Sequence, residues 1–407
     1  MNNRSTRRES GFSLLEMTVA MALGTLVLGA AVQLYSQGVA ATWTVQQRAE
    51  MQQDFRAASN MLLKDLSLAG AGLPNGAAIA LPTATTPVYG CDQASCYLGA
   101  ANNTGATYPL QTGTPYLYGL IPGYNTGPTV STPPGQTDVI TVVYTDTALY
   151  LNCYAPTVTA KGVVTFAPVV TSPVTPWPPP GCLPSNVTAS AGVAPQYLND
   201  AVVGLTPGDL VLMTFNSVQV IGEVTGPVTN PSPNTFAVPF ANLDALHMNQ
   251  TPNTEPSGAA GGLNSIPLNA TAAGTPAPCG RTGPCRIFVI TYYIDNTANP
   301  PRLMRQVNGH TPMPMADSTV YMKFSYDLYN DSTSSPAISC VNPGASGDVC
   351  TAGSSTGLLP NQITKINVLH MATDSALHGT QGYQGLDLET SVAARNLTYS
   401  NNYAQGP

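Results

Sequence analysis

Residues 12–35 form a nearly unbroken apolar run in which Glu16 is the single charge. A run of about 20 apolar residues spans the hydrocarbon of a bilayer as a helix. Arg4, Arg7 and Arg8 precede it, on the side expected to stay cytoplasmic. A charged side chain at membrane depth costs about 2.5–3.5 kcal/mol on insertion scales, so Glu16 marks a partner or a function. A plain anchor does not account for it. The small Gly11 comes before the run, the reverse of a secretory signal peptide, whose small-residue cleavage site follows its apolar core.

Beyond residue 35 the helical pattern continues with a different period. Met51, Phe55, Ala58, Leu62 and Leu66 recur at steps of three and four, which aligns them on one face. Polar residues from Gln46 to Lys64 fill the other face. Gly70-Ala71-Gly72-Leu73-Pro74-Asn75-Gly76 stops the pattern. A helix over residues 12–69 would be roughly 87 Å long, a filament spine rather than a compact-domain element. Gly24 and Gly29 in its apolar half suit close helix packing or local melting.

After residue 76 the periodicity shortens to two. Strands are expected at residues 138–144, 286–294, 303–307, 320–328 and 363–370, and a hairpin at 209–215 and 218–224 about Asn216-Ser217. The Thr- and Pro-rich stretches 157–184 and 250–284 read as surface loops rather than a second core. The fold class is therefore α+β: a long N-terminal helical spine packed against a β-sheet-rich globular head with large loops. The expected divisions are a leader at 1–11, a membrane or filament-core half at 12–35, an amphipathic half at 36–69 and one head domain at 70–407.

All eight cysteines, Cys91, Cys96, Cys153, Cys182, Cys279, Cys285, Cys340 and Cys350, lie in the head. An even number beyond the membrane argues for disulfides in an oxidising compartment. Proximity favours pairing them in chain order, Cys91 with Cys96, Cys153 with Cys182, Cys279 with Cys285 and Cys340 with Cys350, one of roughly a hundred connectivities. His247, His310, His370 and His378 stand apart from the cysteines and no paired CxxC occurs, so no metal is expected. Asp327, Asn330 and Asp331 miss the EF-hand spacing and read as a solvated turn. From Leu66 onward 8 Lys and Arg face 16 Asp and Glu, a net of −8. That is poor footing on phosphate, and no direct nucleic-acid partner is expected.

Gly11, Phe12 and Glu16, spaced as Gly, Phe, three residues, Glu, resemble the signature of the prepilin family of type IV pili and type II secretion pseudopilins. The resemblance implies that a prepilin peptidase cuts between Gly11 and Phe12 and N-methylates Phe12. It also implies that Glu16 docks in the membrane against the freed amine of a neighbouring subunit. Pairing offsets the burial cost of both charges.

Further segments resemble the PilW group of minor pilins. They are Leu63-Lys64-Asp65-Leu66-Ser67-Leu68-Ala69-Gly70, Pro207-Gly208-Asp209-Leu210-Val211-Leu212, Tyr292-Tyr293-Ile294 and Pro301-Arg302-Leu303-Met304-Arg305. Residues 320–326 and 363–369 fit its next two strands, and Val392-Ala393-Ala394-Arg395-Asn396 its closing segment. Ser67 stands where the group usually has arginine, and Met304 where it has tyrosine.

The resemblance implies a tip or priming minor pilin that supports pilus assembly and serves adhesion, twitching motility or DNA uptake. Its implied partners are other minor and major pilins, an inner-membrane platform protein, a cytoplasmic ATPase and, in some systems, a large tip adhesin. It would cross the inner membrane once, head in the periplasm, before joining a pilus (fimbrium) at the cell surface. One alternative is the J-type pseudopilin of a type II secretion system, whose head is usually smaller. Another is a membrane-anchored periplasmic hydrolase, but no GxSxG, HExxH, Walker or dinucleotide motif occurs. No enzymatic activity and no cofactor are expected.

Overall fold

The computed structural model describes residues 12–73, 78–83, 86–98, 104–111, 113–131, 135–146, 148–168, 198–215, 218–232, 235–250, 262–271, 283–330, 335–343, 350, 358–374 and 385–397. Leu14–Ser67 is one α-helix, about 81 Å long at ~1.5 Å per residue. It begins two residues later and ends two residues earlier than the sequence pattern predicts. It runs through Gly24 and Gly29 unbroken, and the space beside both is open. Past its end, Gly70 and Gly72 take φ of +78° and +71°, which side chains rarely adopt. A Cβ at Gly72 would also collide with Thr145 Oγ1. Gly70 N donates to Val143 O at 2.8 Å and Thr145 N to Ala71 O at 2.9 Å, which fastens the turn to the head.

Each expected strand forms, because β-branched and aromatic residues alternate there. The spine of the central sheet is Cys285–Asp295. One edge pairs with Val139–Thr145, itself flanked by Leu120–Gly123. The other pairs first with Leu210–Phe215 of the expected hairpin, then with Arg302–Val307. Val218–Glu223 and Met313–Asp317 complete seven strands, all antiparallel. The hairpin turn at Asn216-Ser217 lies outside the described residues. Thr319–Asn330 and Ile363–Asp374 pair along most of their length in a C-terminal sheet that also holds Ser335–Cys340, Gly385–Asp387 and Thr390–Ala393.

The reading of 157–184 as surface loop is corrected. Tyr154–Ala160 and Val163–Pro168 form a hairpin that continues into Thr235–Pro239 and Thr229–Ser232, a four-stranded sheet. Residues 169–184 lie outside the described residues. Val158, Val164, Phe166, Phe236, Val238 and Phe240 bury together in a second apolar cluster, where no second core was expected. Thr and Pro between these apolar positions mask the period-2 signal in composition. Of the stretch 250–284, residues 251–261 and 272–282 are outside the described residues. Leu263 and Ile266 join the second cluster. The hairpin links the two cores through its two faces: Leu210, Leu212 and Ile221 enter the first, Val211, Met213, Phe215 and Val220 the second.

Only the later half of the helix is covered. Phe55, Ala58, Ser59, Leu62, Asp65 and Leu66 are buried, chiefly against Met313–Asp317 and also against Ile363–Asp374 and Thr390–Ala393. Burying Phe55, Leu62 and Leu66 contributes about 1.5–3 kcal/mol each. Their sum is comparable with the ~5–15 kcal/mol that holds a whole domain together.

Candidate membrane and assembly site

Among the described residues nothing covers the apolar half of the helix. No residue of its most apolar stretch is buried, and Phe12 is 90% exposed. By length and composition the helix can cross a membrane. Its hydroxyls are satisfied internally: Thr18 donates to Leu15 O, Thr25 to Ala22 O and Ser36 to Gln33 O, each at 2.9 Å. Such back-bonding removes the free polar groups that hydrocarbon would penalise.

At the start of the helix, Ser13 is the N-cap. Its hydroxyl accepts from Glu16 N at 3.2 Å, and Glu16 Oε2 accepts from Ser13 N at 3.1 Å. This reciprocal capping box satisfies two of the donors a helix start leaves open. The Glu16 carboxylate therefore points back toward residue 12. Sequence reasoning singled out Glu16 for its charge and overlooked the Ser13-x-x-Glu16 spacing that signals a cap. Gly11 and the rest of the leader lie outside the described residues.

At the other end, three separate sequence segments converge on one buried carboxylate. Asp65 Oδ2 accepts from Tyr292 OH at 2.6 Å and from Arg305 Nε at 2.9 Å. Arg305 Nε also reaches Tyr292 OH at 3.1 Å. Tyr292 faces the helix while Tyr293, the next residue of the strand, faces the opposite side beside Tyr97 and Asp92. Burial and the Asp65 charge both push the Tyr292 hydroxyl pKa upward, so it stays a donor. Asn396 Nδ2 donates to Ser67 O at 3.2 Å, tying the closing segment to the helix end. The residues involved were noted in sequence only as parts of motifs; their meeting was not foreseen.

The Gly208-Asp209 turn is also held by geometry. Gly208 has φ +96°, and a Cβ there would lie 2.9 Å from Gly309 O. Asp209 accepts from Thr206 N at 2.9 Å and from His310 Nε2 at 3.0 Å, with Arg286 at 3.7 Å. Glu223 and Asp244 are buried as a pair. Glu223 Oε2 accepts from Leu246 N at 2.9 Å, while its Oε1 lacks a partner. Burial first, then the Asp244 charge, push the Glu223 pKa up to about 8. The Asp244 carboxyl is itself pushed upward, chiefly by burial.

Cys91 is bonded to Cys96 and Cys340 to Cys350, two of the expected disulfides. Cys153 and Cys285 are disulfide-bonded as well, and Cys182 and Cys279 lie outside the described residues. Asp327 accepts from Asn367 Nδ2 at 3.0 Å; Asp331 is outside the described residues.

A profile of the prokaryotic N-terminal methylation motif matches residues 6–32. No characterised protein and no solved structure matches the chain. The motif supports a type IV pilin-like protein, pilin or pseudopilin, processed by a prepilin peptidase and working with pilin-type partners. The apolar helix fits membrane anchoring of such a protein.

Proposed function

We propose that the chain is a low-copy minor pilin of the PilW type, which primes pilus assembly or occupies the filament tip. The observation that carries this reading is a single helix split between an exposed apolar half beginning at the methylation motif and a half locked into the head. Only surrounding lipid or neighbouring helices can cover the first half. The order of PilW-like segments adds support, since Asp65, Tyr292 and Arg305 come from three of them and join helix to head.

In this reading Phe12 becomes the N-methylated first residue, and the leader up to Gly11 is removed. Glu16 exchanges its capping hydrogen bond for the amine of a neighbouring subunit during assembly. The head stands in the periplasm before assembly and on the pilus afterward, with other pilins, a platform protein, an assembly ATPase and a large tip adhesin as partners. Its role is structural rather than enzymatic. Adhesion, twitching motility and DNA uptake are the processes such a pilus serves. The methylation motif fits a J-type secretion pseudopilin equally well; the bulk of the head, with its second core, favours the minor pilin.

The test is the Glu16→Ala variant expressed in place of the native chain. It should be cleaved and methylated normally yet fail to support filaments. Normal piliation in that variant removes the assembly role assigned to Glu16.

A further inference from the structure

We propose that His370, Asp387 and Glu389 bind one divalent cation of borderline softness, zinc in type, on the outer face of the C-terminal sheet. The site is independent of the helix start, and it departs from the sequence expectation of no metal. His370 Nδ1 lies 2.8 Å from Asp387 Oδ2 and 4.0 Å from Glu389 Oε1. All three ligand atoms fall within 4.8 Å of one another. A zinc ion ~2.1 Å from each ligand sets tetrahedral ligand separations of about 3.4 Å, a value the two measured distances bracket. Small side-chain rotations suffice to close the site.

The arrangement is built by strand alternation. Met371 N donates to Leu388 O at 3.2 Å and Leu388 N to Met371 O at 3.0 Å. Met371 is fully buried and Leu388 packs on the core, so their neighbours His370, Asp387 and Glu389 share the opposite face. Met371 N also donates to Asp387 Oδ1 at 3.2 Å, which turns Oδ2 toward the imidazole. The Tyr321 ring sits 6.1 Å from the His370 ring. A backbone donor on Asp387 is the kind of supporting contact that orients a metal ligand.

Charge points the same way. Among the described residues no Lys or Arg lies within 4.0 Å of Asp387 or Glu389, and His370 is their only ion-pair partner. Two carboxylates with a neutral imidazole favour a dication. One nitrogen among the ligands selects zinc-like ions over calcium or magnesium, which prefer oxygen alone. A bound ion would pin the segment 385–389 to the strand whose Met371 touches Ser59 of the helix, 3.9 Å from its hydroxyl. Sequence reading missed the set because His370 lies 17 residues from Asp387 in the chain, on the neighbouring strand.

Calorimetry on the full chain in detergent micelles, stripped with chelator and titrated with Zn2+, tests this. One Zn2+ per chain should bind, more than about tenfold weaker in His370→Ala and in the Asp387→Asn, Glu389→Gln double variant. Zn2+ should raise the melting temperature of the native chain and not of the variants. The three side chains are 44%, 46% and 74% exposed, so the substitutions leave the fold intact. Absence of saturable Zn2+ binding, binding unchanged in both variants, or equal binding of Ca2+ would each overturn the proposal.

Discussion

The two halves of one helix obey opposite rules. Residues 12–35 are apolar and exposed, while residues 55–66 contribute a buried stripe and a buried carboxylate. Backbone hydrogen bonding is the same in both, so the difference lies in what surrounds them. In the second half the head supplies the partner, and its burial energy is of the order of a domain's stability. In the first half no partner exists among the described residues. Exposed apolar area on this scale marks a membrane or protein contact. The helix thus joins a rigid junction to a surface awaiting lipid or neighbouring helices.

Truncation breaks the comparison most sharply. A chain beginning at residue 51 should dissolve without detergent and melt at the temperature of the intact head, whereas one beginning at residue 68 should lose cooperative unfolding; circular dichroism reads both. Next comes Asp65→Ala. It strands Arg305 and Tyr292 in a buried site, and removal of one partner from such a pair costs about 3–5 kcal/mol, measurable by urea unfolding of the residue 51 fragment. The same denaturation on an Asp65→Ala, Arg305→Ala double variant should show less than the sum of the single losses.

Titration separates the head from the helix start. Glu223 keeps its proton up to about 8 in the folded chain, whereas an unfolded Glu releases it near its ordinary value of about 4.3. Between those values the native state binds more protons, so stability is fullest at low pH and falls as pH rises. This one group contributes a slope of up to about 1.4 kcal/mol per pH unit. Glu223→Gln should flatten that slope. The smallest effect belongs to the exposed half: Ser13→Ala removes a cap at a cost of about 0.5–2 kcal/mol. Amide exchange should show a frayed first turn, with the head's melting temperature unchanged.

Much of the fold was legible because its signals are local. Val139–Thr145 and Cys285–Asp295 announce themselves by β-branched and aromatic residues, and the stripe from Phe55 to Leu66 by its spacing. Glu16 stood out as a charge in an apolar run. The Asp65 cluster did not, since its partners are 227 and 240 residues away in the chain. The second core stayed hidden because Thr159, Lys161, Gly162 and Thr165 separate Val158, Val164 and Phe166, with Pro156 and Pro168 on either side, and composition reads as loop where alternation reads as strand. The role of Ser13 was overlooked because a hydroxyl beside a charged residue draws less notice than the charge.

The N-terminus of the processed chain decides whether the exposed half of the helix is a pilin-type assembly element. Mass spectrometry of the protein purified from membranes that contain a prepilin peptidase should find a chain starting at N-methylated Phe12. A mature protein that retains Met1, or one cut at any other bond, would contradict it.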